Sequence, residues 1–189
     1  MNIKTKILVR GVNNLSAARY CAGMQVEWIS FKMSSRISME TIQAISGWIS
    51  GVKLVCEVDE NIKDSDDFIK ASFDFYLYKH SAIPKAAENI ISSIHTSDVL
   101  QIKNNSSSLY LLEGITSDDI TTLSHQEKEL LSKNSVIINI DNNDAEWVNV
   151  VLNTLNPFGI ALQSPDEIKP GMLKSEGFTE LIEQLTDVN

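Results

Sequence analysis

The chain has 189 residues, of which 43% are hydrophobic, and this content is sufficient for one domain with a sizeable core and too high for a disordered protein. Sixteen basic against 25 acidic residues give a net charge of −9, which excludes proteins that bind nucleic acids or anionic membranes through a basic surface. We therefore expect neither a nucleic acid nor a membrane as a partner.

The composition along the chain marks no boundary and no targeting segment. No linker or low-complexity tract divides it, so a single domain over residues 1–189 is predicted. The N-terminus lacks the apolar stretch of a signal peptide, and no apolar run reaches the roughly 18 residues of a membrane span. The two cysteines, Cys21 and Cys56, lack a CxxC spacing and are expected to be free thiols, so a cytoplasmic location is expected.

Short β-branched or aromatic runs alternate along the chain with amphipathic helical patterns. From the N-terminus, strands are predicted at 6–12, 26–33, 53–59, 73–80, 98–104, 108–114, 135–140 and 159–164. Helices are predicted between most of them, at 14–24, 38–50, 65–72, 82–95, 124–134, 144–156 and 177–185. The stretch NSSS between the fifth and sixth predicted strands is too short for a helix, which predicts an abbreviated fifth crossover.

Eight strands with about seven helices are the count of a closed (β/α)8 TIM barrel in the α/β class. The alternative is an open doubly wound sheet, which usually needs only five or six strands. Because such barrels typically take about 250 residues, this chain would be a trimmed example with short loops.

Arg10 ends the first predicted strand, in the stretch KILVRGVNN. Apolar, partly β-branched residues precede it and Gly11 interrupts the strand after it, so Arg10 occupies the end of a strand where α/β proteins place their functional groups. A charged group there is either a ligand contact or one half of a structural ion pair.

Two terminal segments carry a resemblance to a known family. The stretch ILVRGVNNLSAARYCAGMQVEWISF with SSRIS, and the C-terminal NPFGIALQSPDEIKPGMLK, resemble the phosphoribosylanthranilate isomerase family. Members of that family have a K-I-C-G-I-T strand end, an S-P-R-Y-V segment and a P-Y-G-V-D-V-S-S-G-V-E…P-G-x-K signature. SLYLLEG matches their L-L-L-D strand loosely. The resemblance implies a (β/α)8 barrel and an Amadori rearrangement of an aminoaldose to an aminoketose.

The family's reaction uses a cysteine base on the first strand and an aspartate acid on the sixth, and the resemblance places Arg10 and Glu113 at these two positions. A guanidinium, with a pKa above about 12, cannot serve as a base at neutral pH. A glutamate can act as an acid but is one methylene longer. Arg36, in SSRIS, falls on the arginine that contacts the anthranilate part of the family's substrate; otherwise it is a solvated loop residue.

The phosphate-binding positions implied by the resemblance are also altered. Ile140 and Asp141 replace a pair of glycines, although glycine there allows the backbone to approach phosphate and a carboxylate repels it. Gln163, Ser164 and Pro165 stand where the family has S-S-G, and proline has no amide to donate.

Arg10 and Glu113 would face each other across the barrel mouth with opposite charges, so an ion pair between them is predicted. The other possibilities are that Arg10 binds a small carboxylate or phosphate, or takes part in catalysis. The favoured function is a divergent isomerase-like barrel with lost or much reduced activity and a binding or interaction role. The alternative is a working isomerase that uses Glu113 as acid and an unconventional base. A small anionic ligand and a homodimer are possible partners.

Other residues give weaker signals. No P-loop, GxGxxG or zinc pattern is present, so no cofactor and no metal are predicted. A divalent metal is conceivable only if the acids at or near strand ends converge on one rim. These acids are Glu57, Asp59, Glu113 and Asp141. Of the three histidines, His80 is expected at the end of the fourth strand, His95 at the end of a helix and His125 at the start of a helix.

Overall fold

The computed structural model describes residues 2–3, 5–32, 37–58, 73–83, 88–104 and 109–187. Eight parallel strands form a closed barrel in which each strand pairs with the next and the last pairs with the first. They are β1 Lys6–Arg10, β2 Trp28–Lys32, β3 Lys53–Glu57, β4 Phe75–Lys79, β5 Ile90–His95, β6 Leu109–Glu113, β7 Val136–Asn139 and β8 Gly159–Gln163. The predicted (β/α)8 barrel is confirmed, and the open-sheet alternative is wrong.

Six α-helices lie in the described part of the chain. They are α1 Leu15–Gly23, α2 Met39–Ser46, α3 Ser117–Thr122, α4 His125–Lys133, α5 Ala145–Leu155 and α6 Phe178–Leu185. Five of them start at a residue whose side chain accepts a hydrogen bond from a backbone amide of the first turn, as helix N-caps do. None of these helices has the length and apolar character needed to cross a membrane. The predicted helix at 65–72 lies outside the described residues.

The fifth strand is not where the sequence pattern predicted it. Residues 90–95, predicted as the end of a helix over 82–95, form β5, and residues 98–104, predicted as a strand, lie in a 3₁₀ helix over Thr96–Asn104. The apolar residues Val99 and Ile102 are both buried and stand three positions apart, which is the period of a 3₁₀ helix and not the two-residue period of a strand. His95 consequently ends a strand and not a helix.

The fifth crossover is abbreviated, although its structure differs from the one expected. It runs from Thr96 to the start of β6 at Leu109, and the part that the structure describes contains the 3₁₀ helix and no α-helix. The stretch NSSS, at 105–108, lies outside the described residues.

Alternation along the strands separates two apolar clusters. One lies inside the barrel and contains Leu8, Trp28, Val55, Leu77, Ile91, Leu109, Leu111, Ile137 and Ala161. The other lies between the strands and the helices. Successive side chains of a strand point to opposite faces, so residues two positions apart share a face. The residues that follow the interior apolar positions in this way also face the interior, at the carboxyl end of the barrel, and they are Arg10, Glu57, Ser93, Glu113 and Asn139.

Two short antiparallel pairs complete the described structure. Asn2–Ile3 pairs with Thr186–Asp187, and Glu167–Lys169 pairs with Met172–Leu173. The second pair, which we call the C-terminal hairpin (residues 167–173), directly follows β8 and lies against α1, since the Ser16 hydroxyl donates to Glu167.

Candidate functional site

Arg10 lies inside the barrel mouth, between two carboxylates from other strands. Its Nη1 donates to Oε1 of Glu113 at 2.7 Å, so the ion pair predicted from the sequence is present. Its Nη2 donates to Oε2 of Glu57 at 2.8 Å and its Nε to Oε1 of Glu57 at 3.3 Å. The contact with Glu57 uses two donors of the guanidinium, which makes it the more extensive of the two ion pairs.

Three further polar side chains complete the network around Arg10. The Ser30 hydroxyl donates to Oε1 of Glu57, and the Ser93 hydroxyl donates to Oε2 of Glu113 at 2.9 Å. Oδ1 of Asn139 accepts a hydrogen bond from Nη1 of Arg10 at 3.1 Å. The six residues of this mouth network, which come from six different strands, are Arg10, Ser30, Glu57, Ser93, Glu113 and Asn139.

Burial and pairing act in opposite directions on the charges of this network. The side chains of Arg10 and Glu57 are 14% and 12% exposed, whereas Glu113 is 36% exposed. Burial alone lowers the pKa of Arg10, but the attraction and hydrogen bonds of Glu57, then those of Glu113, outweigh it and the pKa is raised. Burial alone raises the pKa of Glu57, but Arg10, Ser30 and Lys32 outweigh it and the pKa is lowered. Both groups are therefore charged at neutral pH.

The backbone amides at the ends of β7 and β8 are occupied by internal hydrogen bonds. The amide of Ile140 donates to the carbonyl of Ala161 at 2.9 Å, and that of Ser164 donates to the carbonyl of Arg10 at 2.8 Å. The amide of Gln163 donates to the side chain of Asn143 at 2.9 Å. Three of the four positions predicted from the resemblance as phosphate-loop residues therefore have no amide available for an anion.

Asp141, the fourth of these positions, starts a short 3₁₀ helix over Asp141–Asn143. Its carboxylate accepts a hydrogen bond at 2.9 Å from Nδ2 of Asn139, the residue whose Oδ1 contacts Arg10. A fixed negative charge thus stands at the loop after β7, where it opposes the binding of an anion.

The remaining candidate residues lie apart or outside the described structure. Arg36 and Asp59 are both outside the described residues. His80 begins a 3₁₀ helix directly after β4 and contacts the Ser92 hydroxyl at 3.1 Å, while His125 begins α4. His95 ends β5 and lies over Gly114, where a Cβ atom would approach Nε2 of the ring to 2.5 Å. In the described ranges, no three of the His, Cys, Asp and Glu side chains are grouped as a metal site would require.

Sequence reasoning missed half of the mouth network, namely Ser30, Ser93 and Asn139. The sequence predicted the pair of Arg10 with Glu113, but it indicated Glu57 only as one of several acids near strand ends. The signal that could have found Ser30, Ser93 and Asn139 is alternation, because each faces the interior near the end of its strand. Their small or neutral side chains do not mark them as functional.

Comparisons with known proteins match the fold and not the sequence. No protein-family model matches the chain, and the search of curated proteins found no match to its sequence. Among solved structures, phosphoribosylanthranilate isomerase from Thermus thermophilus is 18% identical with a TM-score of 0.70, covering 96% of this chain and 98% of that one. The isomerase from Pyrococcus furiosus is 12% identical with a TM-score of 0.72 and the same coverage. The chain has the fold of these isomerases.

The same fold is also found in an enzyme with a different name. Thiamine phosphate pyrophosphorylase from Pyrococcus furiosus is 14% identical, with a TM-score of 0.64, and covers 97% of this chain and 98% of its own. Fold similarity at such low identity does not carry a reaction with it, because function lies in the residues of the site. The function of this barrel must therefore be argued from its mouth.

Proposed function

We propose that this chain is a divergent member of the phosphoribosylanthranilate isomerase family that has lost the isomerase reaction, or keeps very little of it, and serves a binding or interaction role. The likeness in fold to several such isomerases supports the relationship, together with the terminal motifs of the sequence. The observation that carries the loss of activity is Arg10, held in the mouth by Glu57 and Glu113.

Arg10 stands at the position that the resemblance assigns to the catalytic base. Its pKa is raised by its two carboxylate partners, so it cannot accept a proton from a substrate at neutral pH. Its side chain also fills the interior at the carboxyl end of β1, where a substrate carbon would have to approach the base.

Neighbouring residues are poor replacements for the missing base. Glu57 is next to Arg10, but its lowered pKa makes it a weak base, and both its oxygens already accept hydrogen bonds. Cys56 is buried, and burial followed by the charge of Glu57 raises the pKa of its thiol to about 12, so it carries no thiolate at neutral pH.

The proposed acid is hindered as well. Glu113 accepts a hydrogen bond from Arg10 on one oxygen and from Ser93 on the other, so both of its oxygens are occupied within the mouth network. A general acid must carry a proton when the substrate binds. The alternative of a working isomerase therefore requires both a new base and a rearranged Glu113.

The first experiment is complementation of a tryptophan auxotroph that lacks the isomerase, paired with a fluorescence assay of phosphoribosylanthranilate consumption by the purified protein. We expect no growth, and a catalytic efficiency lower than that of a functional isomerase by on the order of 10³-fold or more, because general base catalysis alone contributes about 10²–10⁴-fold. An authentic isomerase expressed from the same vector is the positive control.

Two variants test the reason for the loss. Arg10→Cys restores the base position, and Arg10→Cys combined with Glu113→Asp restores the acid as well. Neither is expected to rescue growth, because the amides of Ile140, Gln163 and Ser164 remain occupied. Robust growth of the wild-type protein at ordinary expression would contradict the proposal and favour the working isomerase.

A further inference from the structure

A cleft outside the barrel mouth lies between helix α1 and the segment after β8. One wall consists of Leu15, Ser16, Arg19 and Tyr20 of α1, and the other of Gly171, Leu173 and Ser175. Its volume is about 440 Å³, within the range of roughly 300–1,000 Å³ found for small-molecule sites.

Hydrogen bonds join the two walls at one end of the cleft. Oε1 of Glu167 accepts from the Ser16 hydroxyl at 2.7 Å and from the Gly171 amide at 2.9 Å. The C-terminal hairpin is thereby tied to the first turn of α1. The same two hydrogen bonds lower the pKa of the Glu167 carboxyl, so this tie persists at neutral pH.

A second set of contacts joins the walls at the other end. The hydroxyl of Tyr20 is hydrogen-bonded to that of Thr179, which itself donates to the carbonyl of Ser175 at 3.0 Å. The ring of Tyr20 lies 6.2 Å from that of Phe178, measured between centroids. The cleft is therefore held open by its surroundings, and a ligand would not have to order its walls on binding.

Arg19 provides the positive charge of the cleft. It is exposed, and across the residues that the structure describes its guanidinium donates no hydrogen bond and forms no ion pair. A guanidinium presents a planar fork of donors that matches a carboxylate, and Ser175 adds a hydroxyl nearby. The side chains of Leu15 and Leu173 and the ring of Tyr20 offer an apolar surface beside this charge.

We propose that this cleft binds a small carboxylate with an aromatic or aliphatic body, whose carboxylate pairs with Arg19 while its body packs between Tyr20 and Leu173. The combination of one unpaired cation, hydroxyl groups and apolar walls favours this class over inorganic anions, which would leave the apolar walls unused. The proposal does not depend on the fate of the isomerase reaction, because none of its residues belongs to the mouth network.

The test is a titration of the ¹⁵N-labelled full-length protein with phenylacetate at neutral pH, followed by two-dimensional NMR. We expect saturable shifts confined to the amides of α1 and of residues 171–175. Arg19→Gln should raise the dissociation constant about tenfold or more, since a charge-assisted hydrogen bond is lost. Phenylacetamide, which has the same body without the charge, should bind about as weakly to the wild-type protein as phenylacetate does to the variant.

Lys133→Gln is the matched control, because it removes one positive charge from an exposed position on α4. It should leave the affinity for phenylacetate unchanged. Equal binding by wild type and Arg19→Gln would overturn the proposal, as would the absence of saturable shifts. Shifts centred on Gly11 and Ser30 would also overturn it, because they would locate the ligand in the mouth. Equal affinity for inorganic phosphate would show that charge alone is bound and would refute the role of the apolar walls.

Discussion

Arg10 is the residue on which the chemistry of the barrel mouth depends. A guanidinium that is 14% exposed would be costly without partners, and Glu57 and Glu113 supply them from two other strands. Ser30 lies on β2, between β1 and β3, and its short side chain leaves room for Arg10 to reach Glu57. The mouth thus contains an ion-pair network whose members are hydrogen-bonded to one another.

Acid should weaken this network, and the variant Glu57→Gln reports on it. The pKa of Glu57 is lowered in the folded protein, so its contribution is fully present above the ordinary pKa near 4.5 and is lost as the pH falls below it. At pH 7 we expect Glu57→Gln to cost roughly 3 kcal/mol of unfolding free energy, because Arg10 loses a buried partner. The difference between variant and wild type should shrink steadily as the pH falls below about 4.5.

Urea unfolding at several pH values measures this dependence. Glu129→Gln removes a carboxylate from an exposed pair with Lys133 and should change the free energy by less than about 1 kcal/mol at any of these pH values. A difference between Glu57→Gln and wild type that stays constant from pH 7 to pH 3 would argue that the ion pair does not stabilise the fold.

At the scale of single elements, local signals specify the helices more reliably than they specify β5. Helices α3 and α4 each begin with a capping box, formed by Thr116 with Asp119 and by Ser124 with Glu127. β5 has no such signal, because its residues IISSIH follow an alanine-rich stretch typical of a helix. Pairing with β4 and β6 overrides that local preference.

Loss of the cap of α4 tests how much the local signal contributes. Ser124→Ala removes the hydroxyl that accepts from the amide of Glu127, and we expect a loss of about 1 kcal/mol in unfolding free energy. Ser132→Ala, an exposed change in the same helix, should stay within about 0.5 kcal/mol of wild type. If both variants are equally stable, tertiary packing alone holds α4. Thermal and urea unfolding of the three proteins decide the question.

At the scale of the whole molecule, the barrel closes where β8 meets β1. The two strands pair over their full length, from Lys6 opposite Gly159 to Arg10 opposite Gln163. A Cβ atom on Gly159 would lie 2.9 Å from the carbonyl oxygen of Lys6 and 3.3 Å from a side-chain carbon of Ile137. The absence of a side chain at this position therefore allows the close approach that closes the barrel.

Gly159→Ala is expected to destabilise the protein by about 1–3 kcal/mol, because the new methyl group forces the backbone of β1 or β8 to shift. Gly23→Ala is the matched control, since no atom within 4 Å opposes its Cβ and it ends a helix. That variant should be as stable as wild type or gain up to about 1 kcal/mol. The midpoint of urea unfolding gives both values, and equal stability of the two variants would refute the importance of this contact.

The sequence by itself determined the strand count and seven of the eight strand positions, whereas the ion pair of Arg10 with Glu113 was predicted from the resemblance to the isomerase family. These depend on local patterns, since apolar runs, turn residues and motif spacing are properties of neighbouring residues along the chain. The expectation that the phosphate loops are altered came from comparing single positions, such as Asp141 and Pro165, with the motifs of the family that the chain resembles.

Only the tertiary structure decided which groups meet in the mouth. Alternation predicts that Glu57, Ser93 and Asn139 face inward, but their contacts depend on the closure and register of eight strands, which no local pattern encodes. The amides of Gln163 and Ser164 are likewise occupied by groups 20 and 154 positions earlier in the chain, at Asn143 and Arg10. The tertiary structure also decided that residues 90–95 form a strand and not the end of a helix, because pairing with the neighbouring strands outweighs a weak local preference for a helix.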